Sequence, residues 1–296
     1  MSRFLEALHS GRVLLMDGAM GTELRKAGLR DDENAAAWNL LHPERVRAVH
    51  QAYREAGAEV FLTNTFLAHA DTLAESFRAA KRLPFSHHEL WTRGYELIGP
   101  PGAPVFRLAS HGPVAGRAAA REFDQWGYFY TSRLLYDGAD GVLLETCSSP
   151  RVRYAIRRIR EHCDKPVLLS LAFTRNESGA LVTYSSHPPE WFARRAKDYG
   201  VAALGVNCGR DIGMEDIIAI VRRYRDHTDL PLFARPNAGT PARVGDRWVY
   251  PRTPEDMAAR LPELLAAGVS MVGGCCGTTP AHIAAFRPVV DAWNRG

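Results

Sequence analysis

The sequence predicts a single domain, residues 1–296, folded as a (β/α)8 TIM barrel. Short apolar runs alternate with amphipathic helical segments along the whole chain. These apolar runs are continuous rather than alternating with polar residues, which is typical of parallel strands covered by helices. Eight such units follow one another at intervals of roughly 30 to 45 residues, a number that favours a closed barrel. The alternative is an open doubly wound sheet, which usually contains fewer strands.

Each predicted unit consists of a strand, a polar or glycine-containing tip, and a helix. In the first helix, Val46, Val49 and Tyr53 recur at helical spacing and Gly57 ends the segment. The predicted strands occupy 13–18, 60–66, 105–110, 141–146, 167–173, a run ending at 208, 232–235 and a run ending at 276. The predicted helices occupy 44–56, a segment from about 71, 123–136, 150–163, 189–199, 214–224, 254–267 and 280–293. Two longer stretches, 174–188 and 238–252, are predicted to be irregular and to border the mouth of the barrel.

The composition is that of a globular protein with a large core. The chain is 46% hydrophobic and 24% charged, and its net charge of +4 arises from acids and bases mixed along the chain. No nucleic-acid-binding motif and no apolar run of about 20 residues is present, so neither a nucleic acid nor a membrane is a predicted partner. The N-terminus lacks the apolar core of a signal peptide. Five cysteines, an odd number, then favour a reduced, cytoplasmic location, and the oligomeric state stays open.

Three cysteines lie at the C-terminal ends of predicted strands. Cys275 and Cys276 stand between glycines after an apolar run, and Cys208 follows a similar run upstream. All strand tips of a parallel barrel face the same mouth, so these thiols can converge without being close in sequence. Sulfur ligands suit zinc, and three protein ligands leave a position open for a reactant. The competing interpretations are buried small residues or a strained disulfide.

Six short motifs, each at a predicted strand tip, resemble those of one enzyme family. They are Asp17-Gly18-Ala19-Met20-Gly21-Thr22, Thr63-Asn64-Thr65-Phe66, Glu145-Thr146, Gly205-Val206-Asn207-Cys208, Pro236-Asn237-Ala238-Gly239 and Gly273-Gly274-Cys275-Cys276-Gly277. In this order, over nearly the whole chain, they resemble the homocysteine S-methyltransferase family. That family includes betaine-dependent and S-methylmethionine-dependent enzymes and the N-terminal module of cobalamin-dependent methionine synthase.

The resemblance implies a zinc-dependent barrel enzyme that methylates homocysteine to methionine. The implied zinc ligands are Cys208, Cys275 and Cys276. The implied catalytic residues are Asp17 and Glu145. The implied substrate-binding residues are Asp17, Gly18 through its backbone, Asn64, Glu145 and Asn207.

The two carboxylates also have interpretations that do not depend on the family. Asp17 precedes Gly18, a pair that is compatible with simple turn chemistry. Glu145 ends a strongly apolar strand, where an unused carboxylate would be costly, and this favours a functional role.

The methyl donor is predicted to be a small sulfonium compound, either S-methylmethionine or S-adenosylmethionine. Leu67 stands where the betaine enzymes carry a tyrosine, which disfavours betaine. The chain ends after the eighth predicted helix, and we expect no corrinoid-binding domain of its own. The alternatives are a catalytic subunit that uses a separate methyl-corrinoid protein or betaine, another thiol or selenol acceptor, and a non-catalytic barrel that binds zinc or thiols.

Overall fold

The computed structural model describes residues 2–69, 72–73, 76–77, 84–100, 104–113, 137–245 and 247–296. The strands in this part of the chain are Leu14–Leu15 (β1), Val60–Leu62 (β2), Phe106–His111 (β3), Gly141–Leu144 (β4), Val167–Leu171 (β5), Phe173–Arg175 (β6), Leu181–Thr183 (β7), Ala203–Asn207 (β8), Leu232–Arg235 (β9), Ala242–Val244 (β10), Arg247–Val249 (β11) and Val269–Val272 (β12). The helices are Arg3–Leu8 (α1), Met20–Lys26 (α2), Trp38–Leu41 (α3), Pro43–Glu55 (α4), His87–Ile98 (α5), Val152–His162 (α6), Pro189–Tyr199 (α7), Met214–Arg225 (α8), Pro254–Ala266 (α9) and Pro280–Trp293 (α10). None of these helices combines the length and the apolar character that crossing a membrane requires.

Eight strands form one parallel sheet that closes on itself. Their order is β1-β12-β9-β8-β5-β4-β3-β2. The two end strands of this order are joined by a parallel bridge between Met16 and Val60. Beside it, the backbone amide of Glu59 donates to the carbonyl of Leu15 at 2.7 Å. The predicted (β/α)8 barrel is therefore confirmed.

The two stretches predicted to be irregular each contain a short antiparallel hairpin, so that prediction was wrong in part. Strands β6 and β7 pair with each other, as do β10 and β11. Asn176 closes the first hairpin because its side-chain oxygen accepts the amides of Ser178 and Ala180. Strands of three residues are too short to show a periodic pattern, so only turn chemistry of this kind could have revealed them.

Strand β9 and helices α7 and α10 coincide with their predicted limits. Most of the other barrel strands end earlier than predicted, and β2 and β12 show the reason. Strand β2 ends at Leu62 because the chain then turns, with the Thr65 amide donating to the Thr63 carbonyl at 2.8 Å. Strand β12 ends at Val272, and the Cys275 amide donates instead to the Pro236 carbonyl at 2.9 Å. The predicted helix at 123–136 and most of the segment from 71 lie outside the described residues.

The interior of the barrel is a small apolar core that is separate from the larger layer between strands and helices. Inward side chains of all eight barrel strands meet here, and Phe4 and Leu8 of α1 pack against them. Gly205 leaves room for the Phe233 ring, since a Cβ at this glycine would lie 2.4 Å from a ring carbon. The filled interior leaves the C-terminal ends of the strands as the place for a site.

We expect Leu168→Ala, inside the barrel, to lower the free energy of unfolding by about 2–5 kcal/mol, because Leu168 is fully buried and a cavity would remain. The measurement is the urea midpoint of unfolding. Leu41→Ala is the matched control, since Leu41 is 48% exposed and its truncation should change stability by less than about 0.5 kcal/mol. Equal shifts in the two variants would contradict this description of the core.

Candidate functional site

Three thiols converge at the C-terminal end of the barrel. Cys208 directly follows β8, and Cys275 and Cys276 lie in the loop after β12. The three sulfur atoms lie within 4.8 Å of one another, and the Sγ atoms of Cys208 and Cys276 are 3.9 Å apart. All five cysteines of the chain are free thiols. The three residues that were predicted to share a metal are thus brought together, and they could hold a metal ion.

The end of β9 and the segment after it place the two cysteine-bearing loops next to each other. The amide of Cys208 donates to the carbonyl of Arg235 at 3.3 Å, and the amide of Cys275 donates to the carbonyl of Pro236 at 2.9 Å. The amide of Ala238 donates in turn to the carbonyl of Cys276 at 3.0 Å. Positions 208 and 275–276 are therefore neighbours because one short piece of backbone bonds to both.

Two asparagines direct their amide groups at the sulfurs. Asn237 Nδ2 lies 3.5 Å from Cys208 Sγ, and Asn207 Nδ2 lies 3.9 Å from Cys275 Sγ. Asn207 is itself held by Ser170, whose hydroxyl donates to its Oδ1 at 2.5 Å. N–H donors aimed at sulfur favour the thiolate form, which is the form that binds a metal.

The close approach of the thiols separates their pKa values. Hydrogen bonds from the Cys275 and Cys276 thiols lower the pKa of Cys208, while the same contacts and burial raise the pKa of Cys275. The hydrogen bond to Cys208 likewise raises the pKa of Cys276. One thiolate therefore forms readily, and the others need a nearby positive charge, such as that of a metal ion.

Beside the thiols lies a buried ion triad made by Asp17, Arg235 and Glu145. Their exposed fractions are 2%, 3% and 7%. Arg235 Nη1 donates to Glu145 Oε1 at 2.6 Å, and Arg235 Nη2 donates to Asp17 Oδ1 at 3.3 Å. The second oxygens are also bonded, that of Asp17 by the Leu62 amide at 2.9 Å and that of Glu145 by the Ser110 hydroxyl at 3.1 Å. The two predicted acidic residues thus face each other across a cation.

Burial raises the pKa of Asp17 from 3.8 to about 7, and Glu145 adds to this effect. The positive charge of Arg235 and the hydrogen bond from the Leu62 amide act in the opposite direction. Burial alone would lower the pKa of Arg235, but the charges of Glu145 and Asp17 outweigh it and raise that pKa. The guanidinium is therefore charged at any pH at which the protein is folded.

Gly18 and Tyr53 join the loop after β1 to the loop that follows β12. The Tyr53 hydroxyl donates to the Ala19 carbonyl at 2.9 Å and to the Thr278 carbonyl at 3.1 Å. A Cβ at Gly18 would lie 2.7 Å from the Tyr53 ring, so only glycine fits there. The Gly18 carbonyl also accepts from Arg235 Nη2 at 3.2 Å, which connects this turn to the ion triad.

Asn64 does not join the other predicted residues through its side chain. Its amide nitrogen donates to the Ala35 carbonyl at 2.7 Å and to Asn39 Oδ1 at 3.1 Å. His111, at the tip of β3, is fully buried, and its ring centre lies 4.5 Å from that of Trp91. Both side chains thus contribute to packing behind the mouth.

Sequence reasoning missed the roles of Arg235 and Asn237. Arg235 is a charged residue at the end of the apolar strand β9, and Glu145 was recognised by the same signal after β4. That signal could therefore have identified Arg235 as well. Asn237 lies within a motif that was recognised, but its contact with Cys208 depends on the path of the chain after β9.

The raised pKa of Asp17 predicts a pH-dependent stability. The folded chain keeps the Asp17 proton up to about pH 7, whereas the unfolded chain releases it near pH 3.8. This group's contribution to stability is therefore full below pH 3.8 and is lost between there and about pH 7. We expect Asp17→Asn to remove a decline of a few kcal/mol across this range, at about 1.4 kcal/mol per pKa unit.

The measurement is the free energy of unfolding at several pH values across this range. Asp198→Asn is the control, because Asp198 is exposed on α7, and it should follow the wild-type curve. The same slope in Asp17→Asn and wild type would contradict the assignment.

Comparisons with known proteins point to one enzyme family. A family model described as homocysteine S-methyltransferase matches residues 14–290. The methionine synthase of Mycobacterium tuberculosis is 30% identical over 292 residues, 93% of this chain and 24% of that protein. The methionine synthase of Mycobacterium leprae is 29% identical, over 96% of this chain and 25% of that protein. The chain thus spans about a quarter of the length of these relatives.

Solved structures of a homocysteine methyltransferase match this chain over nearly its whole length. The metallated form of the homocysteine methyltransferase MmuM from Escherichia coli superposes with a TM-score of 0.71 at 25% identity, covering 96% of this chain and 99% of that one. The oxidized form of MmuM has a TM-score of 0.73 at 27% identity. Since the family model spans the whole barrel from β1 to α10, the chain belongs to the homocysteine S-methyltransferase family.

Proposed function

We propose that the chain is a zinc-dependent methyltransferase that transfers a methyl group to the sulfur of homocysteine and yields methionine. The observation that carries this proposal is the placement of three convergent thiols beside a buried acidic pair at one mouth of the barrel. Family membership and the similarity to MmuM support the same reaction.

The three cysteines fit zinc in their chemistry. A set of three sulfur donors is typical of zinc, and it leaves one position for the acceptor. Asn207 and Asn237 donate toward two of these sulfurs, as groups around metal-bound ligands commonly do. When bound, zinc would remove the proton of the acceptor thiol and keep the sulfur nucleophilic near neutral pH.

The residues of the chain would then orient the acceptor. In this proposal Asp17 and Glu145 accept hydrogen bonds from the ammonium group of an amino acid whose sulfur lies at Cys208, Cys275 and Cys276. Asn207 is held by Ser170 and by Thr146, whose Oγ1 accepts from its Nδ2 at 2.8 Å, so it keeps that wall of the pocket in place. With both ends of the acceptor bound, methyl transfer requires mainly in-line alignment of the donor.

A small sulfonium compound, S-methylmethionine or S-adenosylmethionine, is the donor we propose. This chain covers 99% of the length of MmuM, which is named a homocysteine methyltransferase. A barrel of this size thus forms the whole of that enzyme, which supports a donor that is a free small molecule. The mycobacterial methionine synthases extend well beyond the part that this chain matches. The second possibility is therefore a donor carried by a separate methyl-corrinoid protein. The five free thiols are in keeping with a reducing, cytoplasmic location.

We expect Cys276→Ala to lose zinc and methyl transfer together while the fold is retained. The loss of one of three thiolates should weaken metal binding by at least about tenfold. Zinc content is measured after dialysis against a competing chelator, and folding by circular dichroism. Cys163→Ala is the matched control, because Cys163 lies at the end of α6 and outside the cluster. Equal zinc contents in the two variants would remove Cys276 from the ligand set.

The donor assignment predicts the outcome of a panel assay on the zinc-loaded protein. Homocysteine is incubated separately with S-methylmethionine, S-adenosylmethionine, betaine and methylcobalamin, and methionine is measured. We expect methionine with a sulfonium donor only. Methionine from methylcobalamin alone would replace the sulfonium donor by a corrinoid partner, and methionine from betaine would reverse the interpretation of Leu67. No methionine in any reaction, with one zinc per chain, would contradict catalysis with these donors and favour a non-catalytic thiol-binding barrel.

A further inference from the structure

We propose that Arg235 determines acceptor specificity by binding the carboxylate of the acceptor, so that the site selects α-amino acid thiols over simple aminothiols. This inference rests on the proposed function, because it concerns the same acceptor pocket. It adds an anion-binding residue to a site in which the chain's acidic residues had suggested only recognition of an ammonium group.

The position of Arg235 is the first reason. Its guanidinium lies between the two carboxylates that would receive the ammonium, 2.6 Å from Glu145 and 3.3 Å from Asp17. A second cation that enters this space stands close to the guanidinium, and the repulsion is strong because burial lowers the local dielectric constant. An ammonium ligand that carries no carboxylate therefore binds poorly to Asp17 and Glu145 while Arg235 is paired with both.

An α-amino acid removes this conflict. Its ammonium and carboxylate are carried by the same carbon atom, so an ammonium bound at Glu145 brings a carboxylate to the neighbourhood of Arg235. The acceptor then contributes one charge of each sign to a site that already holds both. Guanidinium is the group best suited to this task, since its planar fork of donors matches a carboxylate.

The unused bonding capacity of Arg235 is the second reason. Nη1 and Nη2 are engaged by Glu145, Asp17 and the Gly18 carbonyl. Nε is buried and has no acceptor anywhere in the described part of the chain. An N–H group buried without an acceptor is costly, and an anionic ligand that enters the pocket would relieve that cost once the side chain adjusts.

A purely structural role is the competing explanation: Arg235 would only neutralise two buried carboxylates. The two roles differ in one measurable quantity, the preference for a ligand with a carboxylate over the same ligand without it. Loss of a structural residue weakens both ligands alike, whereas loss of a carboxylate partner weakens one of them.

The ligand pair is methionine and its decarboxylated analogue, 3-methylthiopropylamine, titrated calorimetrically into zinc-loaded protein. We expect wild type to prefer methionine by at least about tenfold, as for a charge-assisted bond in a buried site. In Arg235→Met this preference should shrink by about tenfold or more, with the affinity for the amine retained or increased. Arg243→Met, on the exposed strand β10, is the control and should keep the wild-type preference.

An equal loss for both ligands in Arg235→Met, or no preference in wild type, would overturn the inference. Removal of Arg235 leaves two carboxylates buried together, and their repulsion could unfold the protein. A second comparison avoids this repulsion by replacing one carboxylate in both variants: Glu145→Gln against Arg235→Met/Glu145→Gln. The preference should fall between these two variants by the same factor, and an unchanged preference overturns the inference as well. Preference in binding without methyl transfer would contradict the proposed function alone, while methyl transfer without the preference would contradict this inference alone.

Discussion

The end of β9, together with the short backbone segment that follows it, is the constraint on which the whole site depends. Its carbonyls at Arg235 and Pro236 accept the amides of Cys208 and Cys275, and its Ala238 amide returns a bond to Cys276. Cys208 is far in sequence from the other two cysteines, and the barrel alone brings β8 and β12 only onto either side of β9. The hydrogen bonds of this segment convert that neighbourhood into sulfur atoms less than 4.8 Å apart.

The end of β9 also supplies a positive charge, that of Arg235, which reduces the repulsion among the acidic groups of the site. Three thiols and two carboxylates at the end of a barrel would repel one another as they ionise, because little water is present to screen them. Arg235, on β9, compensates part of this charge beside Asp17 and Glu145. One guanidinium cannot balance both carboxylates and the thiolates, and a metal cation is proposed to bind at the sulfurs. The arrangement thus divides the site into a metal-binding part and an ion-paired part.

The sequence was sufficient to predict the barrel, the convergence of the cysteines and the burial of Glu145. All three depend on where strands end, and continuous apolar runs such as those of β4 and β8 mark these ends clearly. The direction of a side chain cannot be predicted in this way. Asn64 stands in a family motif at a strand tip, yet its amide bonds to Ala35 and Asn39, a segment whose path no local pattern reveals. Arg235 ends an apolar strand, so the signal that marked Glu145 was present, but its ion pairs with Asp17 and Glu145 join the ends of three different strands and no local pattern reveals them.

Two of the four non-glycine residues with a positive φ in the described part of the chain lie at strand tips that carry the site. Thr146 and Cys208 adopt φ angles of 63° and 52°, in the left-handed region that favours glycine. Asn207 connects these two positions, since it precedes Cys208 and its Nδ2 donates to Thr146 Oγ1 at 2.8 Å. Ser170 fixes Asn207 from a third strand. Strained residues persist only where surrounding contacts hold them, so this hydrogen-bonded group explains how Cys208 can direct its sulfur toward Cys276. The polar network behind the cysteines is therefore as much a part of the candidate metal site as the sulfurs themselves.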